Sequence, residues 1–134
     1  MTTLHPQYED SQLQAIGVLA LAHVGDAVYD LLVRAALCMN GVPTAAKLHV
    51  ETTRRVCATA QAEAARTLLP ALTEAERAVF QRGRNAKTHQ PPKQAEREDY
   101  MLATALESLF GHLYLTGQES RLRELMDLIF PLTV

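Results

Sequence analysis

Val18-Leu19-Ala20-Leu21-Ala22-His23-Val24-Gly25-Asp26-Ala27-Val28-Tyr29-Asp30-Leu31-Leu32-Val33 is almost wholly apolar, yet it holds a carboxylate beside a glycine at its centre. From Ile16 to Leu37 apolar residues fall on nearly every side of a helix, the pattern of a helix buried all round in a core or at a subunit interface. An ionised carboxylate there is costly unless a metal, a hydrogen-bond donor or a proton compensates it. On helical spacing Asp26 shares a face with Ala22, His23, Tyr29 and Asp30. Gly25 costs about 1 kcal/mol of helix propensity relative to alanine, which makes sense where another backbone or a ligand comes close. Spacing alone leaves two readings open: a polar stripe with Asp26 paired to an arginine, or a site.

Asn40-Gly41-Val42-Pro43 should end this helix, with asparagine or glycine in the left-handed cap and a proline that cannot continue. Pro43 suits the first turn of the next helix. Residues 44–69 are alanine-rich and read as two helices or one bent one, closed by Pro70. Thr73-Glu74-Ala75-Glu76 is a capping box that opens a short helix to about Arg82. A basic loop, Gly83 to Pro92, precedes a final helix pair near 94–116 and 119–130, parted at Thr116-Gly117 and stopped by Pro131. Before the central helix, residues 1–10 read as a loose arm and Ser11 as a cap for a helix opening at Gln12. Nothing alternates with period two long enough to make a strand. The expectation is one all-α domain over residues 1–134.

That length can bury a core without staples. A formal net charge of −2 supplies no global field for a polyanion, so a nucleic-acid partner requires locally concentrated cations. Cys38 and Cys57 make no CxxC pair and favour a reducing cytosol. The start lacks the pattern of a secretory signal. The longest chargeless run near the front, Ser11 to Gly25, falls short of the roughly 18 residues of a membrane span. A cytoplasmic protein with no membrane partner is expected.

Glu107 repeats the motif of Asp26. It is an isolated acid in the apolar run Met101 to Leu115, with Gly111 one turn later and Tyr100, Ala103, Thr104 and Tyr114 on its face. Small residues there would let the two helices cross closely around their acids. Two such carboxylates are the minimum for an oxygen-ligand magnesium site, since that ion keeps several waters; a lone buried glutamate is otherwise a structural ion pair. Between residues 77 and 97 lie Arg77, Arg82, Arg84, Lys87, Lys93 and Arg97 against the single acid Glu96. Such a run is usually a solvated face, but a Gly-Arg-Asn loop can offer backbone N–H groups and guanidinium forks to phosphates.

Other chemistries find no support in the motifs. His5, His23, His49, His89 and His112 lack zinc-ligand spacing. Ser11 and Ser108 have no legible base, and no nucleophile elbow, P-loop or dinucleotide fingerprint occurs. Arg54-Arg55 reads as water-facing.

Three segments, taken together, resemble the ribonuclease III family. Leu21-Ala22-His23-Val24-Gly25-Asp26-Ala27-Val28 looks like its signature helix, and Ala103-Thr104-Ala105-Leu106-Glu107-Ser108-Leu109-Phe110-Gly111 like its second metal-binding helix. Arg82-Gly83-Arg84-Asn85-Ala86-Lys87 and the short length resemble the mini-ribonuclease III branch, which lacks the double-stranded-RNA-binding domain. Leu48-His49 and the Val56-Cys57-Ala58 run ending in Gln61-Ala62 also fit that branch. The likeness covers about residues 12–130. Ala22, Leu19 and Thr104 stand where the full-length family has further acids, a thinning the branch shares; Met101 stands where the branch has arginine.

The resemblance implies an all-α homodimer whose signature helices pack across a two-fold axis. It also implies endonucleolytic hydrolysis of double-stranded RNA, in this branch precursor 23S ribosomal RNA, with possible assistance from a ribosomal protein. Asp26 and Glu107 are the expected catalytic and metal-binding residues, with Asp30 as an additional candidate ligand and Mg2+ (replaceable by Mn2+) as the cofactor. Arg82, Arg84, Asn85, Lys87, His89 and Lys93 are the expected RNA contacts. The competing readings are a non-catalytic double-stranded-RNA-binding member of the same fold and a helical dimerisation protein.

Overall fold

A computed structural model describes residues 2–86 and 94–132. The described residues form seven α-helices: α1 (Asp10–Leu13), α2 (Val18–Met39), α3 (Ala45–Val56), α4 (Ala58–Leu68), α5 (Glu74–Arg84), α6 (Gln94–Leu115) and α7 (Glu119–Ile129), with a 3-10 turn (Leu69–Ala71) between α4 and α5. The all-α class is as expected, with no strand among the described residues. No described helix is long and apolar enough to cross a membrane.

Local chemistry sets the boundaries. Gly41 takes φ +87°, and the N–H groups of Gly41 and Val42 donate to the carbonyls of Cys38 and Leu37 at 3.2 Å each, closing α2. Gly117 (φ +76°) repeats the device after α6, with Gln118 bonded back to Leu113 at 2.9 Å. Thr73 and Glu76 form the expected capping box on α5, and Thr44 caps α3 through the Lys47 N–H. Pro43 therefore precedes the cap rather than entering the first turn. The alanine-rich stretch resolves into two helices, broken where Cys57 turns extended.

Helix α6 is the hub, packed by α2, α4 and α5, with α7 closing over α4 and α6. Leu106, Leu109, Phe110 and Leu113 are wholly buried along it, meeting Val33, Leu68, Phe80 and Leu125. Tyr29 meets Phe110 edge to face at 5.3 Å, a favourable ring geometry. Arg121 of α7 bonds both oxygens of the buried Glu76 at 2.8 and 2.9 Å and the Ala71 carbonyl at 2.8 Å. This clamp fastens α7 to the start of α5. Burial opposes ionisation of Glu76, but the guanidinium prevails and holds its carboxyl below the usual range.

One expectation is narrowed and two are corrected. Of the two options for α2, burial all round in the core of one chain fails: Leu21, Gly25, Val28, Val33 and Leu37 are buried, while Leu19, Leu31 and Met39 are exposed, Leu31 at 64%. Residues 2–10 do not form a loose arm. Pro6 is buried, the Tyr8 N–H donates to the Leu115 carbonyl at 2.8 Å, and the Tyr114 hydroxyl donates to the Leu4 carbonyl at 3.1 Å. The cap of the first short helix is Glu9, whose N–H donates to Gln12, rather than Ser11; Gly17 then separates this turn from α2.

Candidate active site

The two glycines explain how the acids meet. An ideal methyl placed on Gly25 would overlap the backbone carbonyl of Glu107, and one on Gly111 would overlap the carbonyl of Leu21. Helices α2 and α6 therefore cross with backbone against backbone, and only residues without a side chain allow it. The crossing puts Asp26, next to Gly25, within hydrogen-bonding reach of Glu107.

Asp26 itself is exposed. The burial anticipated at Asp26 falls on Glu107, which is half-buried. Burial first, and then the Asp26 carboxylate, push the Glu107 pKa up to about 8, with a Gln61 hydrogen bond acting in the opposite sense. Two acids this close cannot both hold full charge without a counter-ion or a shared proton. Their all-oxygen character fits a hard divalent cation. Among the described residues no group of three or more histidines, cysteines or acids gathers there.

Asp30 does not join the pair: its carboxylate accepts from Arg34 Nε at 3.2 Å, one turn along the same helix. Tyr29, which helical spacing placed with Asp26, turns into the core instead, where burial pushes its pKa up to about 12 against the opposing charge of Arg55. Thr104 is buried and returns its hydroxyl to the Tyr100 carbonyl at 3.0 Å, a helix-internal bond that leaves it no part in the acid pair.

The basic segment is partly helix rather than loop. Arg82, Gly83 and Arg84 form the last turn of α5, and Asn85 is its exposed cap. Gly83 is buried against α6, where an added methyl would meet the Ser108 hydroxyl at 2.5 Å. Arg82 is exposed, but Arg84 donates to both oxygens of Glu98 at 3.0 and 3.1 Å and is thus engaged within the chain. Lys87, His89 and Lys93 lie outside the described residues.

The sequence marks Gln61 only as part of a family-like run. It sits on α4, 2% exposed, with its side chain bonded to Glu107. A polar side chain on the face that also carries Ala62, Ala65 and Leu68 is the signal that could have found it.

Residues 19–118 match the family described as Ribonuclease III domain. The Mini-ribonuclease 3 of Symbiobacterium thermophilum is 47% identical over 109 residues, covering 81% of this chain and 84% of that protein. The Clostridium tetani Mini-ribonuclease 3 is 37% identical over 130 residues, covering 96% and 86%. An X-ray crystal structure of a Fusobacterium nucleatum protein superposes with a TM-score of 0.76 at 25% identity, covering 87% of this chain and 93% of that one. Together with the crossed helices and the facing acids, these likenesses show that the chain belongs to the mini-ribonuclease III branch of the ribonuclease III family and is an endoribonuclease.

Proposed function

We propose that the chain hydrolyses double-stranded RNA with a divalent cation held at Asp26 and Glu107, and that its substrate is precursor 23S ribosomal RNA. The observation that carries this reading is the facing pair at the α2–α6 crossing, an exposed acid backed by a half-buried one. Such a pair leaves net negative charge that Mg2+, or Mn2+ in its place, would offset. A cation bound there would supply Lewis-acid polarisation of the phosphodiester and acidify a bound water.

The chain's own part is positional. Asp26 stands at the surface, where a phosphate backbone can arrive. Glu107 is fixed by its helix and by Gln61. The exposed Arg82 and Asn85, with Lys87, His89 and Lys93, supply phosphate contacts, so recognition depends on A-form shape and 2′-hydroxyls more than on base edges. Arg84 contributes only if it exchanges Glu98 for a phosphate. We infer a homodimer, supported by the apolar outer face of α2: Ala27, Leu31, Ala35 and Met39 line a groove of about 550 Å³ closed by Met126 and Phe130.

Cleavage of a precursor ribosomal RNA and of an unrelated long duplex, with Mg2+ and with chelator, tests the reading. The expected products carry 5′-phosphate and 3′-hydroxyl ends, form only with metal and accumulate faster on the precursor. Binding of duplex without cutting in Mg2+ would favour the non-catalytic alternative.

A further inference from the structure

Of the polar side chains outside the acid pair, Gln61 has the least obvious reason to be where it is. It is 2% exposed, on the face of α4 that packs against α6, and its neighbours on that face are Ala62, Ala65 and Leu68. A buried primary amide is costly unless its donors and acceptor are used. Every buried side-chain nitrogen and oxygen among the described residues has a partner, and Gln61 bonds the Glu107 carboxylate. This bond favours the carboxylate form of Glu107, opposing burial, as a donated bond does, so the amide NH2 is the donor.

We propose that Gln61 is a positioning residue for the acid pair: its NH2 holds Glu107 in the rotamer that faces Asp26, so that the two carboxylates present a preformed cation site. This inference rests on the reading of the acid pair as a metal site. A third helix, α4, thereby enters the site without touching the cation. The choice of side chain is informative. Lysine or arginine at position 61 would neutralise Glu107 and compete with the metal, whereas a further carboxylate would repel Glu107. An amide restrains the carboxylate and leaves its charge intact. Such outer partners of metal ligands alter affinity about 10–100-fold when removed.

The test uses Gln61→Met, which keeps the length and loses the donor, and Gln61→Asn, which keeps the amide but withdraws it by one methylene. Mn2+ binding to the whole protein is measured by titration calorimetry or electron paramagnetic resonance without RNA. The Mg2+ concentration giving half-maximal single-turnover cleavage is measured alongside, with Glu107→Gln as the reference variant. The expected result is Mn2+ affinity at least about tenfold weaker in both Gln61 variants, with the Mg2+ midpoint raised by a similar factor. Saturating Mg2+ should restore most of the rate, and melting of the metal-free protein should stay within a few degrees of wild type. A purely structural amide would lower the melting temperature and leave the Mn2+ affinity alone, which overturns the proposal. If Gln61→Met fails to fold, Gln61→Asn decides on the same criterion. Loss of Mn2+ binding in Glu107→Gln but not in either Gln61 variant overturns the role of Gln61 alone. Unchanged binding in Glu107→Gln overturns the metal site and this inference with it.

Discussion

Glu107 is where opposing demands meet at the residue scale. Burial and the neighbouring Asp26 favour its protonated form, and its pKa is pushed up to about 8 from an ordinary 4.5. Below the ordinary value both folded and unfolded chains hold the proton, and the stability gained from the neutral carboxyl is complete. As pH rises towards about 8 the folded chain retains a proton that the unfolded chain has lost, so this contribution falls and then vanishes. Metal-free protein should therefore lose melting temperature across that window, and Glu107→Gln should flatten the slope. A cation, by contrast, needs the carboxylate. At neutral pH its binding should release close to one proton, measurable by calorimetry in buffers of different ionisation enthalpy. Asp26 and Glu107 could both be singled out from the sequence because each sits within an apolar run close to a glycine. Their division of labour could not: exposure depends on the angle of the crossing, and Asp26 proved to be the open one. Asp30 looked equivalent on helical spacing, yet Arg34 four residues on offers a nearer partner.

At the scale of the element, the α2–α6 crossing is the device on which the site depends, and it tolerates no added atoms. Gly111→Ala should push the Leu21 carbonyl away, costing about 1–3 kcal/mol in overpacking and separating the acids. The expected readout is a lower denaturation midpoint together with a cleavage loss that saturating Mg2+ does not restore. Both glycines were legible as candidates for close approach, because each costs helix propensity without serving a turn. The caps at Gly41, Thr73 and Gly117 were legible for the same local reason. The last turn of α5 was not: Gly83 and Arg84 look like loop chemistry, but Ser108 occupies the space where a side chain at 83 would go, and the helix continues. The contact responsible lies 25 residues away in sequence and leaves no local trace.

Across the whole molecule, a greasy central helix left half-covered sets the problem that assembly would solve. Leu31 is 64% exposed and Met39 59%, beside a groove of about 550 Å³. Leu31→Glu should convert a dimer to a monomer in size-exclusion chromatography with light scattering, while helix content stays as in wild type. The apolar pattern of α2 was visible in the sequence, and with it the option of a subunit interface. Docking of residues 2–10 was not visible, since its bonds end on the backbone carbonyls of Leu115 and Leu4, acceptors that every residue carries. The central claim is that acids from two helices act on one cation as a unit, and groups acting as a unit are strongly non-additive. Single-turnover duplex cleavage by Asp26→Asn, Glu107→Gln and the double variant, at saturating Mg2+, measures this directly. Each single change should cost at least about a thousandfold, and the double should cost no more than either. A wild-type rate in either single variant, or losses that multiply in the double, would contradict it.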